Sequence, residues 1–384
     1  MYLNKINYKE SVNSRIDWNL NEFTLKDINL IVGKNASGKT RMLNVISSIA
    51  QIISGRPLPT GNFEVSFKFY EENNIEYIFK FKCINGKVAE EQFIKNNTTL
   101  LTRDNEGKGD VFYEEQNEKI KFQVPKNILA STLKKDIIQQ PYLIDLFHWA
   151  DMLIHYHFAT QSAQNVFFID SPEKPAANLN FKDENSVVAI FNAAVKENKN
   201  FSELIIQDMN KIGYHIKSIT LSPVDINIMG GLPPTIKGEI LAFNINEQGL
   251  YKQISQGEIS QGMFRALVLI VNINYLLTKE GQYCILIDDI GEGLDFERAS
   301  ALIKLLIDKL SGSSVQLIMT TNDRFIMNSV PLKYWSIIDR RGADIKVFNY
   351  ENTKEIFEEF AFTGLSNFDF FSTEFYEKGF GEEK

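Results

Sequence analysis

The apolar positions of the chain change period several times, and each change marks a different kind of element. Asp27-Ile28-Asn29-Leu30-Ile31-Val32 is a short apolar run entering a glycine-rich stretch, which predicts a strand and then a loop. From Lys39 to about Ile53, Met42, Leu43, Val45, Ile46 and Ile49 recur at helical spacing, and Gly55 with Pro57 stops the helix. Between Phe63 and about Val124 the period becomes two, as in Phe63-Glu64-Val65-Ser66-Phe67-Lys68-Phe69, and Asn85-Gly86 supplies a hairpin turn. This predicts an antiparallel sheet. Helical patterns near Asn127 to Ile154 and Ser186 to Ile212 flank the Pro-containing segment Asp170 to Pro175, and strands are expected at His215 to Ile228 and Ile236 to Asn246. A loop, a long helix, the strand Cys284 to Ile287, a helix near Glu297 to Leu310 and the strand Val315 to Met319 complete an α/β layer. The expected division is an α/β head from residues 1–60 and 213–350, an antiparallel β subdomain at 61–125, a mainly helical insertion at 126–212 and an aromatic tail at 351–384. No repeat or long heptad run interrupts it.

Candidate chemistry begins where the first α/β strand ends. Gly33-Lys34-Asn35-Ala36-Ser37-Gly38-Lys39-Thr40 matches G-x-x-x-x-G-K-[ST] at every fixed position, between a predicted strand and a predicted helix. Glycines let backbone N–H groups turn toward phosphates, and the following helix offers its positive end. Lys39 is then expected to reach the β- and γ-phosphates of ATP, and the Thr40 hydroxyl to ligate Mg²⁺; the nucleotide-contacting set runs from Gly33 to Arg41. The second piece is Cys284-Ile285-Leu286-Ile287-Asp288-Asp289. Burial explains the apolar run but not two adjacent carboxylates at its end. Asp288 reads as the Mg²⁺-side acid, Asp289 as the group that orients or deprotonates the attacking water, and Glu292 as the nearest spare acid.

Ile259-Ser260-Gln261-Gly262-Met263 precedes a long apolar helix and resembles the signature of ABC and SMC ATPases. In that family the serine and helix N-terminus face the γ-phosphate held by the opposite subunit. An overlapping copy, Ile254-Ser255-Gln256-Gly257-Glu258, competes with it. Ser260 is preferred because its separation from Asp288 is close to SMC-like spacing and a helix starts directly after it. Asp288-Asp289-Ile290-Gly291-Glu292-Gly293-Leu294-Asp295 resembles the acidic strand end and D-loop of SMC and RecF proteins, which makes Asp295 the D-loop acid. Thr320-Thr321-Asn322-Asp323 stands where many relatives carry a switch histidine.

Together these motifs resemble the ABC-type P-loop NTPase head over about Met1 to Ile53 and Leu250 to Asp339. Within it the chain looks closest to the RecF/OLD-like "AAA family" ATPases often found in bacterial anti-phage defence. That link includes Thr320 to Trp335 and the stretch Phe362-Thr363-Gly364-Leu365-Ser366-Asn367-Phe368-Asp369-Phe370-Phe371. The resemblance implies ATP with Mg²⁺, a homodimer or higher even-numbered oligomer closing around nucleotide, and a switch or sensor working with a separately encoded protein effector. The sequence departs from the ABC pattern in Asp289 for the usual glutamate and in Asn322 for the histidine; slow turnover is the consequence. Gln139, Gln140, Gln161 and Gln164 all remain candidates for the Q-loop glutamine.

Composition narrows the partners. A net charge of −8 over 384 residues disfavours charge-driven binding to DNA or anionic lipid, so DNA is possible but not favoured. No run approaches a membrane span, and the N-terminal residues lack a signal-peptide core. With Cys83 and Cys284 as the only cysteines, a reducing cytoplasm is expected. His155 and His157 suggest a metal pair, but without clustered Cys or acid ligands they read as satisfied polar side chains, as does His148. The aromatic tail reads equally as a docking surface or as packing on its own domain. The alternatives to a defence switch are a RecF/SMC-like DNA-maintenance ATPase, an interaction module that binds ATP with little turnover, and, least favoured, a transporter's nucleotide-binding subunit.

Overall fold

The computed structural model describes residues 1–10, 17–71, 75–157, 167–170, 182–224 and 239–380. Strands β1 (Tyr2–Glu10) and β2 (Asn19–Thr24) pair antiparallel, and β3 (Ile28–Val32) leads through the glycine-rich loop into α1 (Lys39–Ile53). Six strands follow: β4 (Phe63–Glu71), β5 (Ile75–Ile84), β6 (Lys87–Lys95), β7 (Thr98–Arg103), β8 (Lys108–Tyr113) and β9 (Glu118–Gln123). The middle of the chain holds α2 (Ala130–Leu133), α3 (Pro141–Asp151), β10 (Leu153–His157), β11 (Phe168–Asp170), α4 (Val187–Glu197), α5 (Phe201–Lys211), β12 (Ile216–Pro223), β13 (Glu239–Glu247) and β14 (Ile254–Ser255). The last part is α6 (Gln261–Leu276), β15 (Tyr283–Asp288), α7 (Phe296–Leu310), β16 (Val315–Thr320), α8 (Arg324–Ser329), β17 (Trp335–Arg341), β18 (Asp344–Asn349), α9 (Lys354–Ala361), α10 (Asn367–Ser372) and α11 (Phe375–Lys378).

The main sheet runs β10-β15-β16-β3-β17-β18-β2-β1-β4-β5-β6-β7-β8-β9. Its first five strands are parallel, and from β1 through β9 the pairing is antiparallel. Both faces of the parallel part are covered. Along β15, Ile285 and Ile287 pack into one apolar cluster while Cys284 and Leu286 pack into the other. That is why the strand reads as an unbroken apolar run rather than an alternation. On one side lies α1, whose Met42, Leu43, Ile46 and Ile49 are buried, each contributing about 2 kcal/mol of transfer free energy. On the other lies α6, buried at every residue from Gly262 to Leu276 and backed by α4 and α5. A smaller sheet, β11-β13-β12 with β14 on β13, completes that side.

Two element expectations change. The stretch expected to be helical as far as Ile154 instead ends in β10, which joins the parallel sheet beside β15. Its short Leu-Ile-His-Tyr-His run cannot be told from a helix end by period alone. The helical stretch from Ser186 is two helices, α4 and α5, parted at Asn198-Lys199-Asn200, where the local Asn198 side-chain bond to Asn200 N competes with helix. The expected strand ends at 225–228 and 236–238, and the proline segment from 171, lie outside the described residues. In the tail, Phe357, Phe360, Phe370 and Tyr376 are buried, while Phe362 and Phe380 remain exposed.

Candidate nucleotide site

The parallel strands β3, β15 and β16 end together, and the loops leaving them carry the candidate residues. The glycine-rich loop curls because Ala36 (φ 62) and Gly38 (φ 105) both take left-handed backbone, a shape in which consecutive N–H groups form an anion-binding concavity. Only glycine fits at position 38, since a Cβ there would lie 2.8 Å from Trp18 Nε1. Helix α1 starts with no side-chain cap, whereas Ser260, Asp295 and Asp323 cap α6, α7 and α8. Its first N–H groups therefore lack the oxygen acceptor that those helices supply from their own sequence. Lys39 is buried, its Nζ donating to Gly33 O at 2.8 Å and Lys34 O at 3.4 Å. Burial lowers its pKa, against the pull of Asp289 and Asp288.

The acids sit opposite. Asp288 Oδ1 accepts from Thr40 Oγ1 at 3.2 Å and from Thr320 Oγ1 at 2.6 Å. Thr320 Oγ1 in turn accepts from Asp289 N at 2.9 Å, so one hydroxyl fixes both acids. Asp289 turns out of the strand with φ 49, and its Oδ1 accepts from Asn322 Nδ2 at 3.4 Å. Burial, then Asp288, then Glu292 raise the Asp289 pKa, with Lys39 opposing. The side chain of Glu292 is not joined to these acids by a hydrogen bond; its carbonyl accepts from Arg265 Nη1 at 3.0 Å.

Other predicted residues are placed elsewhere. Ser260 caps α6, its Oγ accepting from Met263 N at 3.2 Å, and Gln261 is exposed. Gly262 packs against the D-loop turn so closely that a Cβ would lie 2.6 Å from Gly293 O. The rival Ser255 lies in β14 and donates to Glu258 at 2.7 Å. Asp295 caps α7 through Arg298 N at 3.0 Å. The Lys34 ammonium pairs with Glu374 at 2.7 Å, outside the loop. Arg41 pairs with Glu10 and lies over the Trp18 ring at 5.3 Å. Gln139 is tied to the β8–β9 end of the sheet through its carbonyl, which accepts from Glu114 N at 3.0 Å. Gln140 is buried beside it, and Gln161 and Gln164 lie outside the described residues. Sequence reasoning assigned no role to Thr320, Arg265 or Trp18. The hydroxyl at the end of an apolar strand was the one available signal for Thr320.

The residues present suit magnesium and a polyphosphate. Thr40 and Asp288 supply hard oxygen donors. Ser37 Oγ is buried in the loop with no hydrogen-bond partner.

The histidines lie one strand over, His157 level with Asp288 and His155 with Leu286. Burial first, then His157, lowers the His155 pKa from 6.5 to about 4, against Asp288. Between those values the unfolded chain binds a proton that the folded chain refuses. Stability is therefore full above pH 6.5 and falls as the pH drops toward 4, by up to about 3 kcal/mol from this group. Denaturant unfolding at pH 7.5 and 4.5 should show a smaller acid loss in His155→Gln than in wild type; equal losses would refute this.

No protein-family model and no curated protein matches the chain. Solved structures do. The Smc head bound to the C-winged helix domain of ScpA has a TM-score of 0.52 at 12% identity, covering 90% of this chain and 97% of that one. An Smc head domain with an extended coiled coil, bound to the C-terminal domain of ScpA derived from Pyrococcus furiosus, has 0.51 at 12%, covering 94% and 99%. At this identity the likeness shows the fold alone: a mixed α/β structure with a large sheet, of the ABC-type NTPase head kind.

Proposed function

We propose that this chain binds ATP with Mg²⁺ and hydrolyses it slowly, as a nucleotide-dependent switch of the ABC/SMC type. The observation that carries the reading is the convergence of Thr40 and Thr320 on Asp288, with the Lys39 loop on one side and Asp289 on the other. In this reading Thr40 and Asp288 hold Mg²⁺, which neutralises phosphate charge when bound. Lys39 and the α1 N-terminus bind the phosphates. Asp289, kept in place by Thr320 and Asn322, accepts the proton of the attacking water. Its raised pKa, caused by burial first and then by Asp288 and Glu292, makes it a better base than an ordinary aspartate.

Ser260 stands at a helix N-terminus, while Ser255 is engaged with Glu258; this supports Ser260 as the group offered to a second subunit's nucleotide. The carbonyl of Glu292 on Arg265 and the packing of Gly262 on Gly293 tie that helix to the acidic loop, so closure of a dimer would be felt at Asp289. Ser260→Arg should abolish ATP-dependent dimerisation measured by light scattering, and Ser255→Arg should preserve it. Loss only in the Ser255 variant would move the signature five residues upstream.

The partner is proposed to be a separately encoded protein effector, in anti-phage defence, as resemblance to the RecF/OLD-like group implies. The acidic net charge supports a protein partner over DNA, and the similar Smc heads are themselves bound to ScpA domains. Recovery of an effector with the wild-type protein, sensitive to Lys39→Ala, tests this. Tight DNA binding with steep salt dependence, and no protein partner, would replace it with the DNA-maintenance reading.

A further inference from the structure

A cavity of about 400 Å³ lies between α1 and the edge strand β10, and no phosphate-loop residue lines it. Ser54 at the end of α1 and Arg56 just beyond it form one wall, His155 and His157 of β10 another, and Lys182 part of the rim. Two of its lining atoms, Ser54 Oγ and His155 Nε2, are buried with no hydrogen-bond partner. Such groups are costly to leave unsatisfied, and two around one cavity point to something that fills it. No carboxylate is among the described lining residues; Asp151 holds Lys182 at 3.0 Å, and Asp288 lies one strand over from His157. In a chain of net charge −8, a recess lined by two cations, two imidazoles and neutral polar groups is set apart from the average surface.

We propose that this cavity is a second anion site, for a small molecule bearing a phosphate-type oxyanion. The Arg56 guanidinium is the charged anchor, presently bonded to Gln51. Ser54 Oγ supplies a hydroxyl donor and His155 Nε2 a ring nitrogen that hydrogen-bonds the ligand in its protonated tautomer. The negative end of α1 nearby opposes an anion, but its last carbonyls already have hydrogen-bond donors and do not point unpaired into the cavity. Those of Ala50, Gln51 and Ile52 accept from Ser54, Arg56 and Gly55 N–H groups, and that of Ile53 accepts from Thr132 Oγ1 at 3.0 Å. The site would also communicate with the acidic strand end: His155 and His157 belong to β10, whose register sets His157 beside Asp288. An occupant would thus bear on the strand that positions the Mg²⁺-side acid without touching the phosphate loop.

The experiment uses the full chain, with pyrophosphate as the probe and calorimetric titration as the readout, in wild type, Lys39→Ala, Arg56→Glu and Ser54→Val. The Lys39→Ala protein removes the phosphate loop as a competing site, so the result does not depend on the nucleotide reading. Saturable pyrophosphate binding is expected to persist in Lys39→Ala. It should weaken about tenfold or more when Arg56→Glu or Ser54→Val is added to that background. Arg56→Glu alone should leave Mg-ATP affinity unchanged. Repeating the titration with citrate separates phosphate recognition, seen as pyrophosphate binding alone, from general polyanion attraction, which would bind both equally and overturn the phosphate assignment. Absence of binding in the folded Lys39→Ala protein, or binding unaffected by both cavity substitutions, overturns the site itself.

Discussion

A Lys39→Ala protein is expected to bind ATP about a hundredfold more weakly than wild type and to show no measurable hydrolysis, because two charge-assisted hydrogen bonds to phosphate are lost. The buried ammonium presently rests on Gly33 O at 2.8 Å and Lys34 O at 3.4 Å, so it is held at the loop before any ligand arrives. Burial lowers its pKa, which means that part of its hydration has already been given up and a phosphate regains what water would have supplied. Alanine leaves a gap without a charge, and nothing else in the loop can compensate: Lys34 is directed away to Glu374 and Arg41 to Glu10. The fold should survive, since the loop is shaped by Ala36 and Gly38 and by Trp18 packed on it. Fluorescent nucleotide titration with a thermal-unfolding control checks both halves. Wild-type affinity in a folded Lys39→Ala protein would end the phosphate-loop assignment.

Asp289→Asn is expected to keep ATP binding and lower turnover by about a hundredfold, the scale on which a positioned general base contributes. The substitution retains the shape and can keep the Thr320 and Asn322 contacts, so it separates proton acceptance from positioning. An asparagine is also well suited to the left-handed backbone at φ 49. Asn322 Nδ2 donates to the carboxylate at 3.4 Å; with an amide in its place, the two side chains can still pair oxygen to nitrogen. Glu292→Gln is the comparison. Its side chain is exposed and its structural contact is made by the main chain, so that variant should retain most activity. Single-turnover hydrolysis and the lifetime of the ATP-bound dimer distinguish them. Loss only in Glu292→Gln would transfer the role of base, and unchanged rates in both would remove it from each.

The local pieces of this site were legible because each is encoded by adjacent residues. A run from Asp27 to Val32 entering Gly33–Thr40, then apolar residues at helical spacing, specifies a strand, a loop and a helix without reference to the rest of the chain. The predicted helix from Lys39 to about Ile53 is α1, and Asp288 ends a buried strand with Asp289 turning out just beyond it. Alternation from Phe63 to Phe69 and from Tyr77 to Phe81 likewise marks strands that show one face to an apolar core and the other outward. The start of α6 at Gln261 was visible because Ser260 is a capping residue before an apolar run.

What the local pattern left open are pairings between distant segments. Nothing in Leu153–His157 announces that it becomes the edge of the parallel sheet; only its register with Cys284–Asp288 makes it a strand and sets His157 level with Asp288. Thr320 reads as an ordinary residue until β16 pairs beside β15 and its hydroxyl reaches both acids. Trp18 gains its role because the residue just before β2 is brought against the phosphate loop, with its Nε1 2.8 Å from where a Cβ on Gly38 would stand. The sequence by itself determined the strand-loop-helix unit, the acidic strand end and the cap of α6, since short-range backbone preference and apolar period suffice for those. The tertiary structure alone decided which strands are neighbours, and with that which hydroxyl holds the acids and which histidines line a cavity. Those choices are made by burial of both faces of the sheet at once, a condition that no window of consecutive residues contains.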